Sequence, residues 1–354
     1  MRNYMDSERG IETDKSRKAL EMKERLVSLR KVFERLAQSS YEGIPGIIKI
    51  ESGKPGPTFG MTVCTHGGEP SGLAAAEYVL DEVDKKGVFL AGTISIVLAN
   101  VEAAKNYFNA QTKRERQLAR FVDVNLNRIP PGALEDKNDT RYEIQRMREL
   151  QPVLDLFEIG LDVHSTTQKP APMVIPIDSP LPVDLLRGMP IQKVLSNYHS
   201  IVGEPIAHFF GTRDAPAQKI AIEVGSHESP EAFDLAVTCT RVLLENLGML
   251  SLTPRAEHSV YEMYDVWKPV IFPNTSYSLT RVFKNFSLIR KGTVIATGNG
   301  PDIIAEENCH PVMASKKKPD SIAEEVMFLT RPVRRITLGS GQSVQLGSGT
   351  TGVI

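Results

Sequence analysis

The stretch Met61-Thr-Val-Cys-Thr-His66-Gly-Gly-Glu69-Pro-Ser71 decides how the rest of the chain is read. A short apolar run predicts a strand, the paired glycines a turn, and the run from Ser71 a helix with Leu73, Ala76, Val79, Leu80 and Val83 on one face. A histidine and a glutamate on either side of such a turn can both face one point above the end of the strand. Imidazole nitrogen and carboxylate oxygen are zinc donors, and a catalytic zinc takes three protein ligands and keeps one position open. Alone the pattern is weak, because the same residues also serve on surfaces and at helix caps.

Outward from this stretch, short apolar runs alternate with helical segments. Strands are predicted over Ile47–Glu51, Gly60–Thr65, Thr93–Ala99, Phe121–Asn125, Gly160–His164, Met173–Ile177 and Lys219–Val224, and helices over Ser71–Lys85, Asn138–Phe157 and Pro230–Leu247. That alternation favours an α/β sheet covered on both faces, with ligands collecting where strand ends meet loops. We assign residues 41–250 to this catalytic domain. Residues 251–335 read as a smaller β domain, with short runs over Val260–Tyr264, Val270–Phe272, Ser287–Ile289 and Val294–Thr297; residues 336–354 read as a Gly/Ser-rich tail.

Ahead of the sheet, residues 1–40 form a helical arm. Ala19, Met22, Leu26, Leu29, Phe33 and Leu36 make one apolar stripe. It either lies on its own domain or joins two copies of the chain in a homo-oligomer.

Three further segments add chemistry. Gly160-Leu-Asp-Val-His164-Ser-Thr-Thr167 is a second strand ending in a histidine, a candidate third ligand, and Asp162 shares its face and can orient a ligand from behind. Arg120-Phe-Val-Asp-Val-Asn125-Leu-Asn127-Arg128 gathers cationic and amide side chains suited to a carboxylate or an oxyanion, although a surface arginine pair beside a turn would look the same. Lys219-Ile-Ala-Ile-Glu223-Val-Gly225 sets a glutamate in an apolar strand; such a setting raises a carboxyl pKa toward that of a general base.

Composition narrows the partners. The 354 residues carry 42 Lys+Arg against 43 Asp+Glu, a net charge of -1, so nothing in the overall charge argues for nucleic acid or an anionic membrane. The uncharged stretch Gly87–Val101 is interrupted by polar residues and too short for a bilayer, which takes about 20 apolar residues. The amino terminus lacks the apolar core of a secretory signal. Cys64, Cys239 and Cys309 lie far apart without CxxC spacing and are expected as reduced thiols of a cytoplasmic protein.

In this order the four segments resemble the aspartoacylase and succinylglutamate desuccinylase family, a branch of the zinc carboxypeptidase-like hydrolases. His66-Gly-Gly-Glu69 looks like its HxxE ligand pair, Asp162-Val-His164 like its DLH third ligand, and Glu223-Val-Gly225 like its catalytic EVG or ELG segment. Arg120, Asn127 and Arg128 match its R…DLNR spacing, and Arg213 falls where aspartoacylase-like members carry a substrate-carboxylate arginine. Trp267-Lys268-Pro269 and His310-Pro311-Val312 are similar, more weakly, to its carboxy-terminal β domain.

The resemblance implies a mixed-sheet catalytic domain with a smaller β domain partly over the site, and hydrolysis of a small N-acyl amino acid. It also implies a single zinc ion on His66, Glu69 and His164. Glu223 would be the base, Arg120 the oxyanion partner, and Asn127, Arg128 and Arg213 the holders of substrate carboxylates. A carboxypeptidase-like or peptidoglycan-fragment hydrolase on the same zinc, and a non-catalytic binding module, are the competing readings. Three departures bear on the substrate. HGNE reads HGGE, Asn125 stands where the family has an acid, and its carboxy-terminal tyrosine has no counterpart; Lys316 to Lys318 are either a solvated run or a different carboxylate contact.

Overall fold

The computed structural model describes residues 2–166, 171–177, 183–198, 204–254, 259–314 and 325–338. Helix α1 (Arg2–Gln38) leads into a small hairpin of β1 (Ser40–Tyr41) and β2 (Ile44–Pro45), then β3 (Ile47–Glu51) and β4 (Thr58–Val63). After β4 comes α2 (Ser71–Tyr78), which continues as a π-helix over Val79–Asp84. Next are β5 (Thr93–Leu98), α3 (Val101–Asn109), α4 (Lys113–Leu118), α5 (Tyr142–Leu154), β6 (Ile159–Thr166), β7 (Met173–Ile177), β8 (Lys193–Ser196) and β9 (Gln218–Ser226). The helix Pro230–Asn246 follows, started by Pro230 in its first turn and capped by the Ser229 side chain on Ala232 N–H. The remaining strands are β10 (Ser259–Ile271), β11 (Ser278–Leu279), β12 (Val294–Thr297), β13 (Ile303–Ile304), β14 (His310–Val312) and β15 (Glu325–Leu338).

Among the described residues ten strands form one mixed sheet in the order β14-β15-β10-β8-β7-β9-β6-β4-β5-β3. At its centre β5, β4, β6 and β9 run parallel, so their carboxyl ends share one edge. Their buried, nearly continuous apolar sequences are what a sheet covered on both faces requires. One face packs Met61, Ile96, Leu161 and Ile222 against α1, α2 and the helix Pro230–Asn246. The other packs Ile175 and Ala221 against Ile144, Met147 and Leu150 of α5. On that second face Gly60 and Gly160 are register partners, and a Cβ on either would lie about 2 Å from the ring of Phe157 or Phe210. The two glycines therefore seat that ring pair, whose centroids are 5.3 Å apart.

The carboxyl half of α1 lies on its own chain: Leu29, Phe33 and Leu36 are buried, and Arg25 and Ser28 both bond Glu77 of α2. The boundary expected near residue 250 falls between strands of one sheet, since β10 pairs with β8. Beyond it a small β region is present, with β11, β12 and β13 in their own sheet over a separate apolar cluster that includes Phe272, Tyr277 and Ile295. The predicted strand at Phe121–Asn125 is absent, and that segment is loop. Lys316 to Lys318 and the tail from Gly339 lie outside the described residues. No helix among the described residues is long and apolar enough to cross a membrane.

Candidate functional site

Strand β4 leaves the sheet through Cys64, at φ 52, a left-handed conformation uncommon for a residue with a side chain. Gly67 then passes so close to its surroundings that a Cβ would lie 2.3 Å from the Ala103 backbone and 2.4 Å from Ala119 O. Only glycine permits that approach. Its N–H donates to Arg120 O at 3.0 Å, which ties the turn to the arginine-rich segment. Gly68 is different: a Cβ there would make only ordinary contacts, 3.6 Å to Arg116 O, so space does not force a glycine at this position.

Glu69 is the hub. Its Oε1 lies 2.8 Å from His66 Nδ1 and accepts from Arg120 Nη1 at 3.2 Å. Its Oε2 lies 2.8 Å from His164 Nδ1 and accepts from Ser165 N–H at 3.1 Å. Both imidazoles are held from behind. His66 Nε2 is 2.9 Å from Asn125 Oδ1, which also accepts from Asn127 N–H at 2.9 Å. His164 Nε2 is 2.6 Å from Asp162 Oδ2, and the other oxygen of Asp162 accepts from Thr62 and Thr65 at 2.7 and 2.8 Å. The Asn127 Nδ2 sits 3.2 Å from the same His164 nitrogen, while its Oδ1 accepts from Ile206 N–H at 3.0 Å.

These three residues could hold a metal ion, with donor atoms within 4.8 Å of one another and all three side chains buried. The hydrogen bonding fits such an ion. With His66 Nε2–H given to Asn125, its Nδ1 turns a lone pair toward a carboxylate oxygen, and two facing acceptors call for a cation. Partners on the far ring nitrogens are what metal-bound histidines ordinarily have. Burial, followed by Arg120, lowers the His66 pKa to about 4, so the ring is neutral and able to ligate at pH 7. Burial also opposes charge on His164, but Asp162 and Glu69 outweigh it and hold that pKa well above the ordinary value.

Glu223 faces His164 across the β6–β9 pairing, in direct register. It is buried, and its Oε2 has no hydrogen-bond partner among the described residues. Burial pushes its pKa up to about 8.

The loop carrying Asn125 and Asn127 is shaped by a residue that sequence reading missed. Glu143, at the start of α5, is buried and accepts from the N–H groups of Val122, Asp123 and Val124 at 2.6, 2.9 and 3.0 Å, and from Asn100 Nδ2 at 3.0 Å. Donors committed to a carboxylate cannot enter a strand ladder, which is why the predicted strand is a loop. A glutamate inside a predicted helix gave no sign of this; only its complete burial does.

Of the residues singled out, His66, Glu69, His164, Glu223, Arg120 and Asn127 are brought together. Arg128 adjoins them, but its guanidinium is bonded to Glu325. Arg213 is not brought to the cluster. It is exposed in the turn between Gly211 and Pro216, ahead of the first residue of β9, whereas Glu223 lies about 17 Å further along that strand. Its offset from Glu223 in sequence is mostly strand, and strand carries it to the opposite edge of the sheet. His227 joins the surroundings instead, with Nδ1 2.9 Å from Ser165 Oγ.

Residues 55–235 match the family described as the succinylglutamate desuccinylase/aspartoacylase catalytic domain. A search of the curated proteins gives no match. Among solved structures the fold is similar to succinylglutamate desuccinylase from Vibrio parahaemolyticus, at 15% identity and TM-score 0.63, covering 85% of this chain and 90% of that one. It is similar also to murine aminoacylase 3, at 19% identity and TM-score 0.58, covering 83% of this chain and 99% of that one. A third is the ectoine utilization protein EutE (DoeB) from Ruegeria pomeroyi, at 15% identity and TM-score 0.54, covering 86% of this chain and 88% of that one. The family match spans half of the chain and contains every ligand candidate together with Glu223: this protein belongs to the succinylglutamate desuccinylase/aspartoacylase family.

Proposed function

We propose that the chain is a zinc-dependent amidohydrolase that removes the acyl group from a small N-acyl amino acid or a closely related N-acylated amine. The observation that carries this reading is Glu69 between the Nδ1 atoms of His66 and His164, with the unpartnered Glu223 Oε2 on the next strand. Two histidines and a glutamate form a donor set used by catalytic zinc. Zinc, when bound, supplies a Lewis acid beside the scissile carbonyl.

The chain's own residues do the rest. In its ionised form Glu223 Oε2 accepts a proton from the attacking water and returns it to the leaving amine nitrogen, and a pKa of about 8 makes that form a stronger base than an ordinary carboxylate. Arg120, with its side chain 46% exposed at the edge of the cluster, donates to the developing oxyanion. Asp162 and Asn125 hold the two imidazoles in place, so little reorientation is needed during turnover. A screen of the zinc-loaded protein against N-acetyl, N-succinyl and N-formyl amines and amino acids, scored by release of free amine, tests the reading. Release from one of these classes is expected; cleavage of peptides alone, or of none of them, contradicts it.

A further inference from the structure

The arginines around the cluster are each matched to an internal glutamate. Arg120 faces Glu69 at 3.2 Å, Arg116 faces Glu228 at 3.4 Å, and Arg128 bonds Glu325 at the start of β15. The Arg128 pairing goes furthest. Its Nε donates to Glu325 Oε1 at 3.0 Å, and its Nη2 donates to that oxygen as well and to Tyr198 OH at 3.3 Å. Its Nη1 donates to Asn127 O at 2.7 Å, so all three guanidinium nitrogens are engaged. The residue before it, Asn127, has its side chain against His164, so the Arg128 pair is joined through one backbone step to a contact of a candidate metal ligand. Arg128 and Glu325 side chains are only 24% and 21% exposed, and Tyr198 is buried against Phe328. A pair this enclosed is costly to open, because a lone charge would remain behind.

Resting on the deacylase reading above, we infer that Glu325 is a specificity-determining residue: it fills the carboxylate-binding fork of Arg128, so the site takes N-acylated amines that bring no anionic group to this wall. The substrate class is then an acylated amine, or an acylated amino acid whose carboxylate is capped as an amide. A free carboxylate entering here would meet a neutralised arginine and the negative charge of Glu325. Specificity of this kind comes from a repulsive element as much as from an attractive one.

The test compares N-acetylalaninamide with N-acetylalanine on the zinc-loaded full chain, as wild type, Glu325→Gln, Glu325→Ala and the double variant Arg128→Gln/Glu325→Gln. Wild type is expected to favour the amide by about tenfold or more in kcat/KM, and Glu325→Gln to move that ratio about tenfold toward the acid, chiefly through KM. The double variant should lose the shift, which excludes a general loosening of the pocket. Calorimetric titration of N-acetylalanine into each protein gives a readout independent of turnover, and Glu325→Ala serves if the glutamine variant folds poorly. A wild type that prefers the acid, or single variants whose affinity for it is unchanged, overturns the proposal. If no protein turns over either compound, the deacylase reading fails, and gain or absence of acid binding in the Glu325 variants still decides this inference.

Discussion

Glu223→Gln keeps its zinc and loses amide hydrolysis by about 10²–10⁴-fold, the range for removal of a general acid–base. Glutamine has nearly the shape of glutamate and leaves His66, Glu69 and His164 untouched, so metal content measured beside turnover separates loss of the base from loss of the site. The same variant has a second expected signature. The carboxyl stands at about 8 in the folded chain against an ordinary 4.5, so the native state holds an extra proton between those values. The contribution from Glu223 is therefore fully present below pH 4.5 and is lost as pH rises through about 8. Thermal melts of the metal-free protein should show wild type losing stability across that window more steeply than Glu223→Gln. Equal slopes, or undiminished turnover in the variant, would remove Glu223 from the mechanism.

Glu69→Ala has the second large effect, on the metal itself. Glu69 is in contact with both imidazoles, Ser165 N–H and Arg120, so its removal deletes one ligand candidate and strips four groups of a shared partner. Disturbing even an outer partner of a metal ligand costs about 10–100-fold in affinity, and loss of Glu69 should exceed the upper figure. In the metal-free protein the buried His164 charge would keep only Asp162 as a carboxylate partner, and the loss should cost at most about 3–5 kcal/mol of stability. Chelator competition for zinc and denaturant unfolding measure the two effects. Zinc affinity close to that of wild type would mean that the cluster is not the metal site.

Much of this was legible from residue order. Apolar runs located β4, β6 and β9, and Met173–Ile177 is bounded as expected. The strand period placed Asp162 behind His164, where it is found. Less legible were features whose partners are remote in the chain. Glu325 is 197 positions from Arg128, and nothing in either local sequence announces the pair. Strand β15 went unseen because its charges, such as Arg331 and Arg335, obscure any apolar run, yet it pairs with β10 over nearly its whole length. By the resemblance, Asn125 stands where the family has an acid. In the folded chain it is the acceptor for His66 Nε2, a role that an amide oxygen fills as well as a carboxylate.

The central claim is that His66, Glu69 and His164 hold a zinc ion on which amide hydrolysis depends. It is tested most directly by stripping the protein of metal, titrating zinc back, and following bound zinc and free-amine release from an N-acylated amine on the same sample. Activity should vanish in the stripped protein and return in proportion to zinc, reaching its plateau at about one ion per chain. Hydrolysis that persists in the stripped protein, or zinc that binds without restoring it, would contradict the account.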